Sequence, residues 1–331
     1  MTACIAELPE GPLDIVGDVH GHWHSLRNLL LRLGYDDQGR HAEGRRLVFV
    51  GDLVDRGPDS PAVVDWVLQR IAEGRAWAVM GNHELNLLRG DHKEGNDWFW
   101  DAGNPQDRKF EPFARLHPGL RAPLLERLAT LPLALERADL RVVHAGWDAA
   151  AVGRLRGVRY DSADAFIGLF DAFEAGMQKQ ADALLPQRRS EMHRWGAAVH
   201  DSMVAVPMLP AKAAIDVLHQ NSHPIRVLTS GLEAVSAAPH FASGQWRFTD
   251  RLAWWNSYEE AVPIVIGHYW RRPPGEPANA ARHEGQPPDL MADAAPTDWL
   301  GARKKVFCVD YSVAAGGVLG AMRWPEGTLV I

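Results

Sequence analysis

This chain of 331 residues has only two cysteines, no net positive charge and no long apolar stretch. Two cysteines, Cys4 and Cys308, cannot form a disulfide framework, so we expect a reduced, cytoplasmic protein. A net charge of −7 argues against a protein that coats nucleic acid, because phosphate backbones favour basic surfaces. No stretch approaches the roughly 18 apolar residues of a transmembrane helix, and residues 1–13 lack the basic start and apolar run of a secretory signal. We therefore expect an ordinary globular protein with no membrane partner.

Short apolar runs alternate with amphipathic helical patterns in the first part of the chain. The runs at 13–16, 47–50 and 76–80 predict buried strands. Helices are predicted at 22–33, where leucines recur at helical spacing, and from 59 through 71, where a proline lies in the first turn. A third helix follows the third strand. This alternation predicts βαβ units with helices on the sheet faces, in the α/β class.

The rest of the chain predicts a single domain with an insertion. Further strands are predicted at 133–135, 140–143, 262–266, 306–309, 318–323 and 329–331, and the last three are expected to form an antiparallel meander. Further helices are predicted at 120–131, 163–183 and 211–219, and loops at 90–108 (over the site) and 271–296. We expect a core of 13–147 and 262–331, with 148–261 as a largely helical insertion or cap.

Five short motifs place Asp, Asn or His where a predicted strand ends, with glycine nearby. They are GDVHG at Gly17–Gly21, GDLVDRG at Gly51–Gly57, GNHE at Gly81–Glu84, HAG at His144–Gly146 and GH at Gly267–His268. Ligands of such sheets collect outside the carboxyl ends of the strands. The motifs therefore predict one polar site where several strand ends meet.

Six residues of these motifs are candidate metal ligands: Asp18, His20, Asp52, Asn82, His144 and His268. Asp18 and His20 are two positions apart, so on extended backbone their side chains point the same way and can grip one ion. The two carboxylate oxygens of Asp52 can each face a different ion. Each residue alone is more often a hydrogen-bonded turn or polar residue, but their joint position after apolar strands favours two divalent ions. We expect Mn, with Fe, Zn, Ni or Mg as alternatives, because paired ions stabilise the attacking and leaving oxygens of a displacement at phosphorus.

Three neighbouring residues are catalytic candidates. Arg56 can direct two N–H groups at phosphate oxygens. His83 adjoins Asn82 and can protonate a leaving oxygen as a general acid, while Asp55 can orient the imidazole of His83 and keep it protonated. The alternative for Asp55 and Arg56 is a surface ion pair of little energetic weight.

Together the five motifs resemble those of the calcineurin-like metallophosphoesterases, in their phosphoprotein-phosphatase branch. The resemblance covers about 14–147 and 262–317. Within the family, 31–60, the GHYW stretch at 267–270 and the ending at 309–319 are most similar to bacterial diadenosine tetraphosphatases and related bacterial phosphatases, and GHYW resembles the histidine motif of the symmetrical enzymes.

The resemblance implies two mixed β-sheets sandwiched between helices. It implies direct attack on phosphorus by a water or hydroxide that bridges the metals, without a phosphoenzyme. It implies Asp18 and His20 on the first metal, Asp52 as the bridge, Asn82, His144 and His268 on the second metal, Arg56 on phosphate, and His83 with Asp55 as the acid pair. The family's second phosphate-binding arginine has no motif here, and Arg194 and Arg251, each near a tryptophan, are the candidates.

Three functions follow as hypotheses. The first is a dinuclear-metal phosphoesterase acting on small phosphorylated molecules, including dinucleoside tetraphosphates. The second is a protein serine/threonine phosphatase of the same chemistry, whose partner is a phosphoprotein. The third is a non-catalytic, metal-binding regulatory protein. The sequence leaves the oligomeric state open.

Overall fold

The computed structural model describes residues 1–242, 244–275 and 289–331. Its strands are β1 Thr2–Ala3, β2 Ile5–Glu7, β3 Leu13–Val16, β4 Arg46–Phe49, β5 Ala76–Ala78, β6 Ala134–Arg137, β7 Leu140–Val143, β8 Arg159–Tyr160, β9 Glu233–Ala242, β10 Gln245–Arg251, β11 Ile264–Ile266, β12 Val306–Cys308, β13 Ala321–Trp324 and β14 Thr328–Val330. Its α-helices are α1 Trp23–Leu33, α2 Ser60–Ala72, α3 Asn82–Leu88, α4 Asp97–Trp100, α5 Arg121–Leu128, α6 Ala149–Leu155, α7 Ala163–Ala181, α8 Leu185–Trp195, α9 Pro210–Asn221 and α10 Pro224–Ser230. Short 3-10 turns lie at Pro105–Phe110, Pro118–Leu120, Asp182–Leu184, Ala198–His200, Trp254–Ser257 and Val313–Ala315.

The first five-stranded sheet has the order β14-β13-β3-β4-β5. β3, β4 and β5 are parallel, whereas β13 runs antiparallel to both β3 and β14. The crossovers through α1 and α2 make the predicted βαβ units. Helix α2 begins where the carboxylate of Asp59 accepts from the Ala62 amide, with Pro61 in the first turn, and α1 ends at Gly34, whose φ is 92°. The three parallel strands therefore end on the same side of the sheet.

The second five-stranded sheet has the order β12-β11-β7-β6-β2. β7, β11 and β12 are parallel neighbours, so the residues that follow them emerge side by side. β6 closes a hairpin with β7 and runs parallel to β2. Both sheets are mixed, as the resemblance implied, and the α/β fold class is confirmed.

The two sheets pack face to face through apolar side chains. This inner layer includes Leu13, Ile15, Val48, Val50, Leu135, Val142, Val265, Phe307 and Met322. Alternate residues of the same strands, such as Val16 and Phe49, point to the other face and pack in a larger cluster that includes the leucines of α1 and the valines of α2. Burial on both faces explains why these strands read as continuous apolar runs.

The segment predicted as an insertion contains α6 to α10 and a hairpin of β9 and β10 that the sequence did not predict. Helix α10 lies against the loop that follows β7: the amide of Ala145 donates to the carbonyl of Leu228 at 2.9 Å. A Cβ on Gly146 would lie 2.6 Å from the carbonyl oxygen of Val227, so that approach requires glycine. The segment thus supports the loop that carries His144.

Two predictions about the connections were wrong or incomplete. The last three strands do not form a meander, because β12 pairs in parallel with β11 while β13 and β14 belong to the other sheet. All three strands are short apolar runs. The sheet that each one joins depends on pairing with strands that are far away in the sequence. The stretch 90–108 contains α4 and part of a 3-10 turn.

Of the predicted loop at 271–296, residues 276–288 lie outside the described residues. Within the three described ranges, no helix combines the length and apolar character needed to cross a bilayer.

Candidate active site

The candidate ligands converge at the ends of strands from both sheets. Asp18 and His20 follow β3, Asp52 follows β4, and Asn82 opens α3 after β5, whereas His144 and His268 follow β7 and β11. The backbone at several of these turns is left-handed, a conformation that non-glycine residues adopt at a cost. Among the described residues, the motifs supply five of the eight non-glycine residues with positive φ: His20, Asp52, Asp55, Arg56 and His268.

Asp52 lies at the centre of this convergence. Its Oδ2 is 3.6 Å from Nε2 of His20, 3.4 Å from Nε2 of His144 and 3.9 Å from Nε2 of His83. Candidate ligand atoms of Asp52, His20 and His83 lie within 4.8 Å of one another, and so do those of Asp52, His144 and His268. One carboxylate therefore belongs to two groups of ligands, which is the arrangement that a bridging ligand needs.

Backbone carbonyls orient two of the histidines toward this carboxylate. Nδ1 of His20 lies 3.0 Å from the carbonyl oxygen of Val54, and Nδ1 of His144 lies 2.7 Å from that of Val50. A carbonyl only accepts, so each imidazole carries its hydrogen on Nδ1 and presents the lone pair of Nε2. Nε2 of His144 then faces Oδ1 of Asn82 at 3.2 Å, and these converging lone pairs suit a cation.

Glu84 holds the loops that carry Asp52 and Asn82. Its carboxylate accepts from the amides of Asp52, Leu53 and Gly81 at 2.8–3.0 Å. The amide of His83 in turn donates to Oδ1 of Asp52 at 3.1 Å. These hydrogen bonds fix the ends of β4 and β5 relative to each other.

Asp18 and His268 meet on the other side of the site. Oδ2 of Asp18 accepts from the backbone amide of His268 at 3.0 Å. Oδ1 of Asp18 and Nε2 of His268 are buried and have no hydrogen-bond partner among the described residues. Because buried polar atoms are nearly always satisfied, two such atoms at one site fit a divalent ion with mixed oxygen and nitrogen ligands.

The pKa shifts of the buried carboxylates also indicate a site for cations. Burial, followed by the nearby carboxylates of Asp310 and Asp52, raises the pKa of Asp18 well above its usual value. Burial also acts to raise the pKa of Asp52, but the positive potential of His144 and His83 outweighs it and lowers that pKa. Carboxylates crowded in this way are stabilised by bound cations.

His83 and Asp55 form a buried pair. Nδ1 of His83 lies 2.6 Å from Oδ2 of Asp55. Burial raises the pKa of Asp55 well above its usual value and lowers the pKa of His83 to about 3, so the two shifts favour a pair that shares one proton. Burial thus opposes the protonated imidazole that the sequence analysis expected beside Asp55, while Nε2 of His83 stays directed at the site beside Asp52.

Two arginines border the ligands. Nη1 of Arg56 lies 3.4 Å from Nε2 of His20. Arg251, the last residue of β10, donates from Nη1 to the carbonyl of His268 at 3.3 Å. Burial and then the charge of Arg56 are among the causes that lower the pKa of Arg251. Two guanidinium groups close enough to repel each other favour an anion between them.

Arg194 lies elsewhere. It is exposed on α8, and its guanidinium stacks 5.5 Å from the ring of Trp195. No contact found among the described residues joins Arg194 to a candidate ligand, so the structure brings Arg251 to the site and does not bring Arg194 there.

Sequence reasoning gave no role to two residues of this site. Asp310 is 2% exposed, and its Oδ2 is buried without a hydrogen-bond partner among the described residues. Burial raises its pKa to about 6. It follows the apolar strand β12, the same signal that identified Asp18 and Asp52. Trp98 bonds to Asp55, and nothing in its local sequence indicates that contact.

Comparison with known proteins finds a family match and similar proteins for the first part of the chain. Residues 11–165 match the model of the family described as calcineurin-like phosphoesterase. The chain is 45% identical over 80 residues to the asymmetrical bis(5'-nucleosyl)-tetraphosphatase PrpE of Oceanobacillus iheyensis, a match covering 23% of this chain and 32% of that protein. It is 33% identical over 156 residues to the PrpE of Geobacillus sp. (strain WCH70), covering 43% of this chain and 60% of that protein. The chain thus spans less than two thirds of either relative.

A solved structure is also similar. The cold-active protein-tyrosine phosphatase of a psychrophile Shewanella sp. has 20% identity and a TM-score of 0.45, with 98% of this chain and 81% of that chain covered. Similarity at this level gives no information about the substrate of this chain. The family match rests instead on residues 11–165, which contain β3, β4, β5 and β7 with their motifs and make up less than half of this chain.

Proposed function

We propose that this chain is a metal-dependent phosphoesterase that hydrolyses phosphate esters or anhydrides at a pair of divalent ions. The observation that carries the proposal is that Asp52 belongs to two groups of ligands at once. His20 and Asp18 would complete one side, and Asn82, His144 and His268 the other. When bound, such ions activate water and neutralise charge on phosphorus.

The protein's own residues would position the phosphate and supply the proton. Arg56 and Arg251 would hold phosphate oxygens between their guanidinium groups. The leaving oxygen would take the proton on Nε2 of His83 as its bond to phosphorus breaks, and the proton shared with Asp55 would then stay on Nδ1 of His83. The attacking oxygen comes from water, so no group is left on the protein.

For the substrate we propose dinucleoside tetraphosphates, as the names of the relatives suggest. Trp270 is half-buried, and the guanidinium of Arg56 lies 6.0 Å from the centre of its ring. An indole at this distance from a phosphate-binding arginine offers a face on which a nucleobase can stack. The buried free thiols of Cys4 and Cys308 fit a reducing, cytoplasmic setting, and we propose Mn as the native metal.

The test is reconstitution with a substrate panel. The protein is stripped with a chelator and reloaded separately with Mn, Fe, Zn, Ni and Mg. The bound metal is counted by mass spectrometry, and turnover is measured on p-nitrophenyl phosphate, diadenosine tetraphosphate and a phosphopeptide. We expect two ions per chain and hydrolysis of the tetraphosphate. ATP with AMP would show asymmetrical cleavage, whereas two ADP would show the symmetrical cleavage that GHYW suggests.

The same panel separates the other two hypotheses. Phosphopeptides hydrolysed far faster than any nucleotide would replace the proposed substrate with a phosphoprotein. Metal bound without turnover of any phosphoester would refute the enzymatic proposal and favour a regulatory protein. A protein that binds none of the five metals would contradict the proposed role of Asp52 as a ligand shared by two ions.

A further inference from the structure

A tryptophan bonds to the carboxylate of the acid pair. Nε1 of Trp98 donates to Oδ1 of Asp55 at 2.6 Å, while Oδ2 of Asp55 lies 2.6 Å from Nδ1 of His83. Trp98 is 2% exposed and Asp55 fully buried. The three side chains therefore form one buried chain of hydrogen bonds that ends at the imidazole facing the site.

Asp55 needs support from outside its own turn. Its φ is 75°, and that of the next residue, Arg56, is 68°, so two consecutive residues have left-handed backbone. Such a conformation persists only when the surroundings hold it in place. The amide of Asp55 donates to Oγ of Ser60 at 2.9 Å, but this bond fixes the backbone and not the carboxylate. The bond from Trp98 holds Oδ1, so that the carboxylate is fixed at both oxygens and its orientation does not depend on His83 alone.

Trp98 belongs to residues 95–107, a stretch held together by hydrogen bonds, which we name the bracing segment. The carboxylate of Asp107, itself 2% exposed, accepts from the amides of Gly95 at 2.7 Å and Asp97 at 2.8 Å. The carbonyl of Gly95 accepts from the amide of Arg56 at 3.0 Å. The bracing segment therefore contacts both the carboxylate of Asp55 and the backbone of Arg56, the arginine proposed to bind phosphate.

We propose that Trp98 is a positioning residue: its indole N–H orients Asp55, which in turn holds His83 with the proton on its Nε2 directed at the leaving oxygen. This role rests on the proposed function, since it needs a leaving group to protonate. A tryptophan that only filled space would also stabilise the fold, but it would not change how the rate depends on the leaving group.

The test replaces the N–H and varies the leaving group. Trp98→Phe keeps a buried ring and removes the donor. On phenyl phosphate, whose leaving group needs a proton, we expect kcat/KM to fall roughly 10–100-fold, as for other residues that orient a catalytic group. On 2,4-dinitrophenyl phosphate, whose leaving group departs as a stable anion, we expect a change of about 2-fold at most. Metal content should match the wild type.

The chain offers a matched control. Trp100 lies two residues further on in the same segment, and its Nε1 has no hydrogen-bond partner among the described residues. Trp100→Phe should alter both substrates equally and by about 2-fold at most. In a His83→Ala background, Trp98→Phe should add no further leaving-group dependence, because the group that it positions is gone.

The outcomes are distinguishable. Equal losses on both substrates, no loss on phenyl phosphate, or a leaving-group effect that persists without His83 would each overturn the role of Trp98 while the phosphoesterase proposal stands. Failure of the metal-loaded wild type to hydrolyse any phosphoester would overturn the proposed function and this role together. If Trp98→Phe does not fold, site-specific 3-benzothienylalanine, which keeps the indole shape with sulfur in place of N–H, gives the same expectations.

Discussion

His223 links the pH dependence of stability to the packing of α7 against α10. It is fully buried between α7 and α10, and its ring centre lies 4.2 Å from that of Phe170. Its Nε2 lies 3.2 Å from the carbonyl oxygen of Phe170, and its Nδ1 accepts from the amide of Arg226 at 3.4 Å, capping α10. The folded protein therefore requires a neutral imidazole with its hydrogen on Nε2.

The cost of protonating His223 follows from its environment. Burial first, and then the charge of Arg226, lowers its pKa to about 4 from the usual 6.5; Arg89 acts in the same direction, and Glu174 against it. At ~1.36 kcal/mol per pH unit, this difference is worth about 3 kcal/mol. Because the folded pKa lies below the unfolded one, the contribution is complete above about pH 6.5 and is lost as the pH falls toward 4.

Urea unfolding of the wild type and His223→Gln at pH 7 and pH 4 measures this contribution. The wild type should lose about 3 kcal/mol more than the variant over that range, since the buried metal ligands titrate equally in both. His193→Gln, at an exposed position on α8, should behave as the wild type. Parallel losses in the wild type and His223→Gln would refute the reasoning.

Three predictions concern the site itself. Asp52→Asn should lower the occupancy of both ions together, because the carboxylate shared by the two groups loses its charge; metal counting checks this. His83→Ala should keep both ions and cut turnover by roughly 10²–10⁴-fold, and an emptied site would instead make His83 a ligand. Arg251→Ala should weaken phosphate binding, seen as a higher KM or a higher inhibition constant for inorganic phosphate, whereas Arg194→Ala should leave both unchanged.

These variants need a common reference for folding. Thermal unfolding of each metal-loaded variant against the wild type separates a lost contact from a lost fold. Arg194→Ala and Arg251→Ala are matched variants, because each removes one guanidinium charge. Arg194→Ala removes it from an exposed helix, and Arg251→Ala removes it from beside His268. Equal effects of the two would contradict the placement of Arg251 at the phosphate.

Local patterns were enough to predict the strands and the residues that follow them. β3 and β4 are buried on both faces, which makes their sequences continuously apolar, and the polar residue that ends each run stands out. Asp18, Asp52 and His144 were found by this signal. The helices α1 and α2 were found because leucine or valine spacing and an N-terminal Asp-Ser-Pro act over a few neighbouring residues.

The sequence by itself therefore determined the chemical types of the candidate ligands and their places at strand ends, because both are properties of short stretches. The tertiary structure decided what depends on residues far apart in the chain. It made Asp52 common to two groups of ligands, turned Nε2 of His144 inward through the carbonyl of Val50, and brought Trp98 to Asp55. It also selected Arg251 over Arg194 and sent β12 and β13 to different sheets, since such contacts depend on packing and register that no local pattern encodes.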